Sequence, residues 1–147
     1  MKITQANILP TEELKEVKPH NFRVMVVDDD IACAQTMVWI LEMIGQSHAQ
    51  MAHEGMAAIA LAKSFCPEVV LLDIGLPGMN GYEICSELQK NPALANTTFI
   101  AQTGWGQREH KERTKEAGFH YHLVKPVDIE ALKDIFLGLD KARLQTT

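Results

Sequence analysis

Aspartates follow two apolar runs of this sequence. Asp28, Asp29 and Asp30 come directly after residues 24–27, and Asp73 follows residues 69–72. Apolar runs of this kind, rich in β-branched residues, are typical of strands buried in the middle of a sheet. Carboxylates at the carboxyl ends of such strands lie at the edge where open α/β sheets hold their active sites.

These carboxylates repel one another if the two strands are neighbours. Two carboxylates about 4 Å apart repel by roughly 4 kcal/mol at an effective dielectric constant near 20. A cation, a shared proton or a function must offset that cost. A carboxylate is also a competent nucleophile toward a phosphoryl group, with which it forms an acyl phosphate.

Composition indicates one globular domain of ordinary kind. The chain has 147 residues, of which 46% are hydrophobic and 22% charged, and its net charge of -5 opposes direct nucleic-acid binding. No apolar stretch is long enough for a membrane span, and the start lacks a signal-peptide core. Cys33, Cys66 and Cys85 stand singly, which favours small buried hydrophobic residues over a metal or redox site. We therefore expect a cytoplasmic protein.

Strand-like and helix-like segments alternate from Phe22 onward. The predicted strands are residues 23–27, 47–52, 69–72, 98–101 and 120–124, and the predicted helices are residues 31–44, 55–65, 82–90, 108–117 and 129–143. Five βα units predict an α/β fold, a single parallel sheet with helices on both faces. The flavodoxin-like order 2-1-3-4-5 is the common solution at this size, and it makes strands 1 and 3 neighbours. Residues 1–21 are interpreted as a leader or linker, 22–144 as the domain and 145–147 as a tail.

Four motifs in the right order carry a resemblance to a known family. They are the Asp28-Asp29 pair, the segment LDIGLPGMNGY at residues 72–82, Thr103 near the end of strand 4, and the Lys125-Pro126 pair after strand 5. With these motifs, residues 22–144 resemble the receiver domain of bacterial two-component response regulators. Taken singly, each motif has a bland alternative: a capping or turn aspartate, a solvated lysine, or a strand threonine without a partner.

The resemblance implies a phosphoacceptor site that binds Mg²⁺. Asp73 is the nucleophile that becomes phosphorylated. Asp29 and Asp73 are expected to ligate the metal directly and Asp28 through water, while the backbone carbonyl of Gly75 completes the set. Mg²⁺ favours such a site, because it takes few carboxylates, keeps several waters and accepts a phosphate oxygen.

Lys125 and Thr103 are the remaining catalytic residues that the resemblance implies. The lysine is a cation where negative charge builds on the transferring phosphoryl group, and in the family its bond to proline is cis. The threonine hydroxyl bonds the phosphoryl oxygen after transfer. Gly75 and Trp105 occupy the two positions that tune hydrolysis of the acyl phosphate, and neither positions water. We therefore expect slow autodephosphorylation.

His122 stands three residues before the lysine, where the family usually has tyrosine or phenylalanine. In the family this ring turns inward as the threonine moves toward the phosphate, so Thr103 and His122 are the predicted switch pair. Histidine at this position resembles the receivers of hybrid sensor kinases. The alternative is a half-exposed strand residue without a switching role.

The first predicted helix carries apolar residues on its outer face. Trp39 and Met43 fall on that face by helical spacing, beside the acidic site. In the family this surface meets the phosphodonor, so we expect it to dock a sensor histidine kinase or a histidine phosphotransfer domain. The alternative is cover by the N-terminal segment through Leu9, Leu14 and Val17.

The predicted function is phosphorylation-dependent signalling through shape change. The sequence ends soon after the fifth helix, which predicts output through protein–protein contacts, with an unidentified downstream protein, or a piece of a longer kinase. A homodimer through the fourth helix, fifth strand and fifth helix is an alternative assembly. Two other functions stay open: an aspartyl-phosphate phosphohydrolase, which would want a carboxylate at Gly75, and a flavodoxin-like binding module without phosphotransfer.

Overall fold

The structure, a computed structural model of the protein, describes residues 19–104 and 110–145. Within these ranges five strands alternate with five α-helices, and a short 3₁₀ helix, Pro92–Leu94, precedes the fourth strand. The strands are β1 Val24–Val27, β2 Ala49–Ala52, β3 Val69–Asp73, β4 Thr98–Thr103 and β5 Tyr121–Val124. The α-helices are α1 Ile31–Met43, α2 Gly55–Phe65, α3 Gly81–Gln89, α4 His110–Glu116 and α5 Ile129–Gln145. Among the described residues, no helix combines the length and apolar character that a bilayer crossing needs.

The five strands form one parallel sheet in the order β2-β1-β3-β4-β5. The predicted topology is therefore confirmed. Val27 pairs with Leu72 and Asp73 pairs with Gln102, so β1, β3 and β4 end at the same edge of the sheet. β2 and β5 are the two outer strands.

The central strands are buried on both faces because helices cover both. Alternate residues of β1 enter two different hydrophobic cores, Met25 and Val27 on one face and Val24 and Val26 on the other. The first core is filled from α2 and α3, and the second from α1 and α5. This double burial explains why the first strand is a continuous apolar run.

Capping residues start and end the helices largely as the sequence predicts. The Asp30 side chain caps α1 by accepting from the Cys33 backbone N–H at 3.2 Å. Gly45 and Gly118 follow α1 and α4 with positive φ angles of 91° and 102°. α2 ends differently, because Cys66 itself takes the left-handed conformation with a φ of 49°.

The predicted burial of all three cysteines is wrong for two of them. Cys85 is buried, Cys66 is half-buried and Cys33 is exposed. α1 presents Ala34 and Met37 to the core, and this orientation turns Cys33 outward.

β4 is longer than predicted. It runs two residues further, to Thr103, because its end is paired with β5. The Lys125 backbone N–H donates to the Thr103 carbonyl at 2.8 Å. This pairing brings the threonine and lysine motifs to neighbouring strand ends.

Candidate functional site

Three carboxylates meet where β1 and β3 end. One carboxylate oxygen from each of Asp28, Asp29 and Asp73 lies within 4.8 Å of the others. Asp28 is buried, Asp73 is half-buried and Asp29 is exposed. The sheet order places them together because β1 and β3 are direct neighbours in register. The predicted acidic cluster is therefore present, with one side open to solvent.

The Asp28 carboxylate is held from two directions. Its Oδ1 accepts from the Asp30 backbone N–H at 3.0 Å, and its Oδ2 accepts from Lys125 Nζ at 3.0 Å. Burial raises the pKa of Asp28 above its usual value, and these two hydrogen bonds offset that effect only in part. A further cation beside Asp28 would favour its charged form.

Lys125 bridges two of the carboxylates. Besides Asp28, its ammonium donates to Asp73 Oδ2 at 3.1 Å. Burial lowers the pKa of Lys125, but the bonds to the two carboxylates outweigh that effect and leave this pKa raised. The ammonium is therefore charged at neutral pH. The Lys125–Pro126 peptide bond is cis, as the resemblance implied.

The loop after Asp73 turns back on itself to start α3. Asp73 Oδ1 accepts from the Gly75 backbone N–H at 2.9 Å. At Gly81, a Cβ would lie 2.6 Å from the Ile74 Cα, so only glycine allows this approach of helix and loop. The start of α3 is closed by a capping box between Asn80 and Glu83. The Gly75 backbone is thereby fixed beside Asp73.

Thr103 and His122 are in direct contact. The fully buried Thr103 shares a hydrogen bond of 2.8 Å between its Oγ1 and His122 Nε2. Thr103 is the last residue of β4, and His122 lies on the neighbouring strand β5, where it pairs with Ala101. The structure therefore brings the predicted switch pair together.

The predicted docking residues are exposed on α1. Trp39 is 58% exposed and Met43 is 72% exposed. They lie about 12 and 18 Å along the helix axis from its first residue, which follows the acidic loop. The proposed cover from Leu9, Leu14 and Val17, like the prediction for Trp105, lies outside the described residues.

The sequence analysis did not single out His53. Its Nδ1 lies 3.0 Å from the Asp28 backbone carbonyl, so the ring bonds the acidic loop from the neighbouring segment after β2. The signal was present, because His53 directly follows a strand that ends at the same edge of the sheet. The residue was overlooked because its contact is with backbone rather than with a carboxylate.

The chain belongs to the response regulator receiver domain family. The family's sequence profile, described as "Response regulator receiver domain", matches residues 24–136. Receiver domains are signalling modules of two-component systems rather than conventional enzymes. They generally bind Mg²⁺ in an acidic pocket and interact with sensor histidine kinases or phosphotransfer proteins.

Three relatives and one solved structure illustrate the range of proteins that contain this domain. The chain is 31% identical to the DNA-binding dual master transcriptional regulator RpaA of Synechocystis over 110 residues, 75% of this chain and 45% of RpaA. It is 32% identical to the signal transduction histidine-protein kinase BarA of Escherichia coli K12 over 114 residues, 78% of this chain and 12% of BarA. It is 34% identical to protein PilH of Pseudomonas aeruginosa over 110 residues, 75% of this chain and 90% of PilH. The chemotaxis protein CheY4 of Vibrio cholerae superposes with a TM-score of 0.72 at 26% identity, covering 80% of this chain and 98% of CheY4.

The chain thus spans less than half of RpaA and a small part of BarA, but most of PilH. The match to BarA agrees with the expected likeness to receivers of hybrid sensor kinases.

Proposed function

We propose that Asp73 accepts a phosphoryl group from a phosphohistidine. An Asp73 carboxylate oxygen attacks the phosphorus atom, the phosphorus–nitrogen bond breaks, and the imidazole leaves with the electron pair. The observation that carries this proposal is the bridge from Lys125 Nζ to Asp73 Oδ2 at 3.1 Å. It places a fixed cation beside the oxygen that would receive the phosphoryl group, where negative charge develops during transfer.

We infer that the carboxylates of Asp28, Asp29 and Asp73, with the Gly75 carbonyl, hold Mg²⁺, Asp28 through water. Support comes from the donor set, because three carboxylates with oxygens within 4.8 Å carry more negative charge than one lysine neutralises. Hard oxygen donors are those that Mg²⁺ selects. When bound, the ion supplies positive charge to the phosphoryl oxygens.

Thr103 and His122 are proposed as the residues that report phosphorylation. Their 2.8 Å hydrogen bond gives Thr103 a partner within the protein before phosphorylation. A phosphoryl oxygen on Asp73 competes for the same hydroxyl. Moving Thr103 toward it would release the His122 ring and change the outer strand β5. Loss of the phosphoryl group is slow in this proposal, because Gly75 has no side chain to position water.

Trp39 and Met43 are proposed to dock the phosphodonor, a sensor histidine kinase or histidine phosphotransfer domain. The support is their exposure of 58% and 72% on the helix that follows the acidic loop. Exposed tryptophan and methionine are enriched at protein interfaces relative to the rest of the surface. The signalling output of the domain then runs through contacts with an unidentified protein or with a second copy of this chain. The cytoplasmic location and the domain limits of residues 22–144 are also part of this proposal.

Intact mass measurement after incubation with acetyl phosphate and Mg²⁺ tests the proposed acceptor. We expect a gain of one phosphoryl group that disappears in Asp73→Asn and persists in Asp134→Asn, an exposed aspartate of α5. Steady phosphate release from phosphomonoesters would instead support the phosphohydrolase. No mass change in a folded protein would support the binding module.

A further inference from the structure

A cavity of about 350 Å³ lies between α1 and the segment that joins β5 to α5. Its walls are mainly apolar, with Ala32, Met37 and Ile40 on one side and Pro126 and Val127 on the other. The volume falls within the range of small-ligand sites, about 300–1,000 Å³. The cavity is distinct from the acidic cluster, which it meets only through Asp28 and Lys125.

Gln102 is a polar residue in the otherwise apolar part of β4. It is 4% exposed and lines the cavity. Ile100, two residues earlier on the same face of the strand, belongs to the core beneath α1 and α5, so the Gln102 side chain points to that side as well.

Among the described residues no side-chain hydrogen bond of Gln102 is present, and its amide is open to the cavity rather than sealed in the core. Other polar side chains in the cavity wall are already engaged, because Lys125 donates to Asp28 and the Thr36 hydroxyl donates to the Ala32 carbonyl. Nearly all buried polar groups in folded proteins are hydrogen-bonded, so a largely buried glutamine whose amide opens into a cavity takes its partners there, from water or from a ligand.

We propose that this cavity binds a small uncharged molecule with an apolar ring and a cis-amide edge. A glutamine amide offers a carbonyl acceptor beside N–H donors, and a cis-amide presents the matching donor and acceptor side by side. The apolar walls take the ring. An uncharged ligand fits because the two charged groups at the inner end, Asp28 and Lys125, are already paired with each other at 3.0 Å.

Binding is tested on the unphosphorylated chain without magnesium, so its outcome is independent of the proposed phosphotransfer. The probe is 3,4-dihydroquinolin-2(1H)-one, an aromatic lactam, titrated into ¹⁵N-labelled protein. We expect saturable NMR shifts of the Gln102 side-chain NH₂ signals and of the Cys33 and Val127 backbone amides. The N-methyl lactam lacks the donor, and we expect it to bind about tenfold more weakly or worse.

Variants show whether binding of the lactam depends on the Gln102 amide or only on the apolar walls of the cavity. Gln102→Leu removes the amide, and we expect about tenfold weaker lactam binding, whereas Gln50→Leu on the exposed face of β2 leaves binding unchanged. Ala32→Phe, on the exposed first turn of α1, narrows the cavity and is expected to abolish binding. This variant provides the test if Gln102→Leu does not fold. The proposal is overturned by an absence of saturable shifts, by equal affinity for the two lactams, or by unchanged affinity in Gln102→Leu. Any of these would leave water as the partner of the amide.

Discussion

Lys125 has two opposite effects at the acidic site. In the proposed function its ammonium stabilises negative charge that develops on a phosphoryl group. It would also compete with a metal ion for Asp28 and Asp73, which it contacts at 3.0 and 3.1 Å. In Lys125→Met we therefore expect slower phosphorylation together with tighter Mg²⁺ binding, each changing by about tenfold or more.

Acetyl phosphate kinetics and titration calorimetry measure these two quantities. Lys90→Met is the matched control, since Lys90 is exposed and pairs only with Glu87 among the described residues. Weaker Mg²⁺ binding in Lys125→Met would contradict the competition.

The hydrogen bond between Thr103 and His122 opposes any movement of the hydroxyl toward Asp73. Removing it in His122→Phe releases the hydroxyl at a gain of about 1 kcal/mol, the net value of a typical hydrogen bond. We expect the phosphoryl mimic beryllofluoride, with Mg²⁺, to bind about fivefold more tightly, as measured by NMR titration. Tyr121→Phe, on the same strand but more exposed, should leave the affinity unchanged, and weaker binding in His122→Phe would refute the switch.

Individual site residues were predictable because each follows a strand end. The roles expected of Asp28, Asp73 and Lys125 came from the resemblance to the receiver family that the motifs carry. The contacts of these residues could not be predicted, because one lysine bonding two carboxylates depends on the order of β1, β3, β4 and β5 in the sheet. Gln102 escaped notice for the same reason, since a glutamine in a strand gains meaning only from the cavity that it faces.

At the scale of single elements, α3 is fixed by its first residues. The Asn80 side chain accepts from the Glu83 backbone N–H at 3.0 Å, and the Glu83 side chain accepts from the Asn80 backbone N–H at 3.4 Å. Asn80→Ala should lower the free energy of unfolding by about 1 kcal/mol in urea denaturation. Asn96→Ala removes an exposed asparagine outside any helix and should change stability little. Equal effects of the two substitutions would argue against the capping box.

Element types and most boundaries followed from the sequence, and among the carboxyl ends of the strands the largest difference is at β4. α2 was predicted at its observed limits, since apolar spacing and Gly55 mark both its face and its start. β4 extends to Thr103 because β5 pairs with its last residues, and no local pattern in the sequence encodes that partner. The outward position of Cys33 likewise depends on which side of α1 the core selects.

For the whole molecule, bound Mg²⁺ should act as a stabilising ligand. An ion that binds only the folded chain raises the free energy of unfolding by about 2.7 kcal/mol at about 100 times its dissociation constant. We expect urea denaturation with MgCl₂ or EDTA to reveal this gain in the wild type and in Asp134→Asn. It should vanish in Asp29→Asn, which removes the exposed ligand of the cluster. An undiminished gain in Asp29→Asn would exclude Asp29 from the metal site.

The order of the strands sets how far the proposed phosphorylation of Asp73 would have to be transmitted. Asp73, Thr103 and His122 lie on β3, β4 and β5, three successive strands, and β5 is the last in the sheet. Two interstrand spacings amount to about 10 Å. Tyr121 and Val124 on that last strand are 39% and 45% exposed. A partner protein that recognises the phosphorylated form would therefore require no long-range rearrangement of the fold. The exposed strand that it would contact, β5, lies only two strands from Asp73.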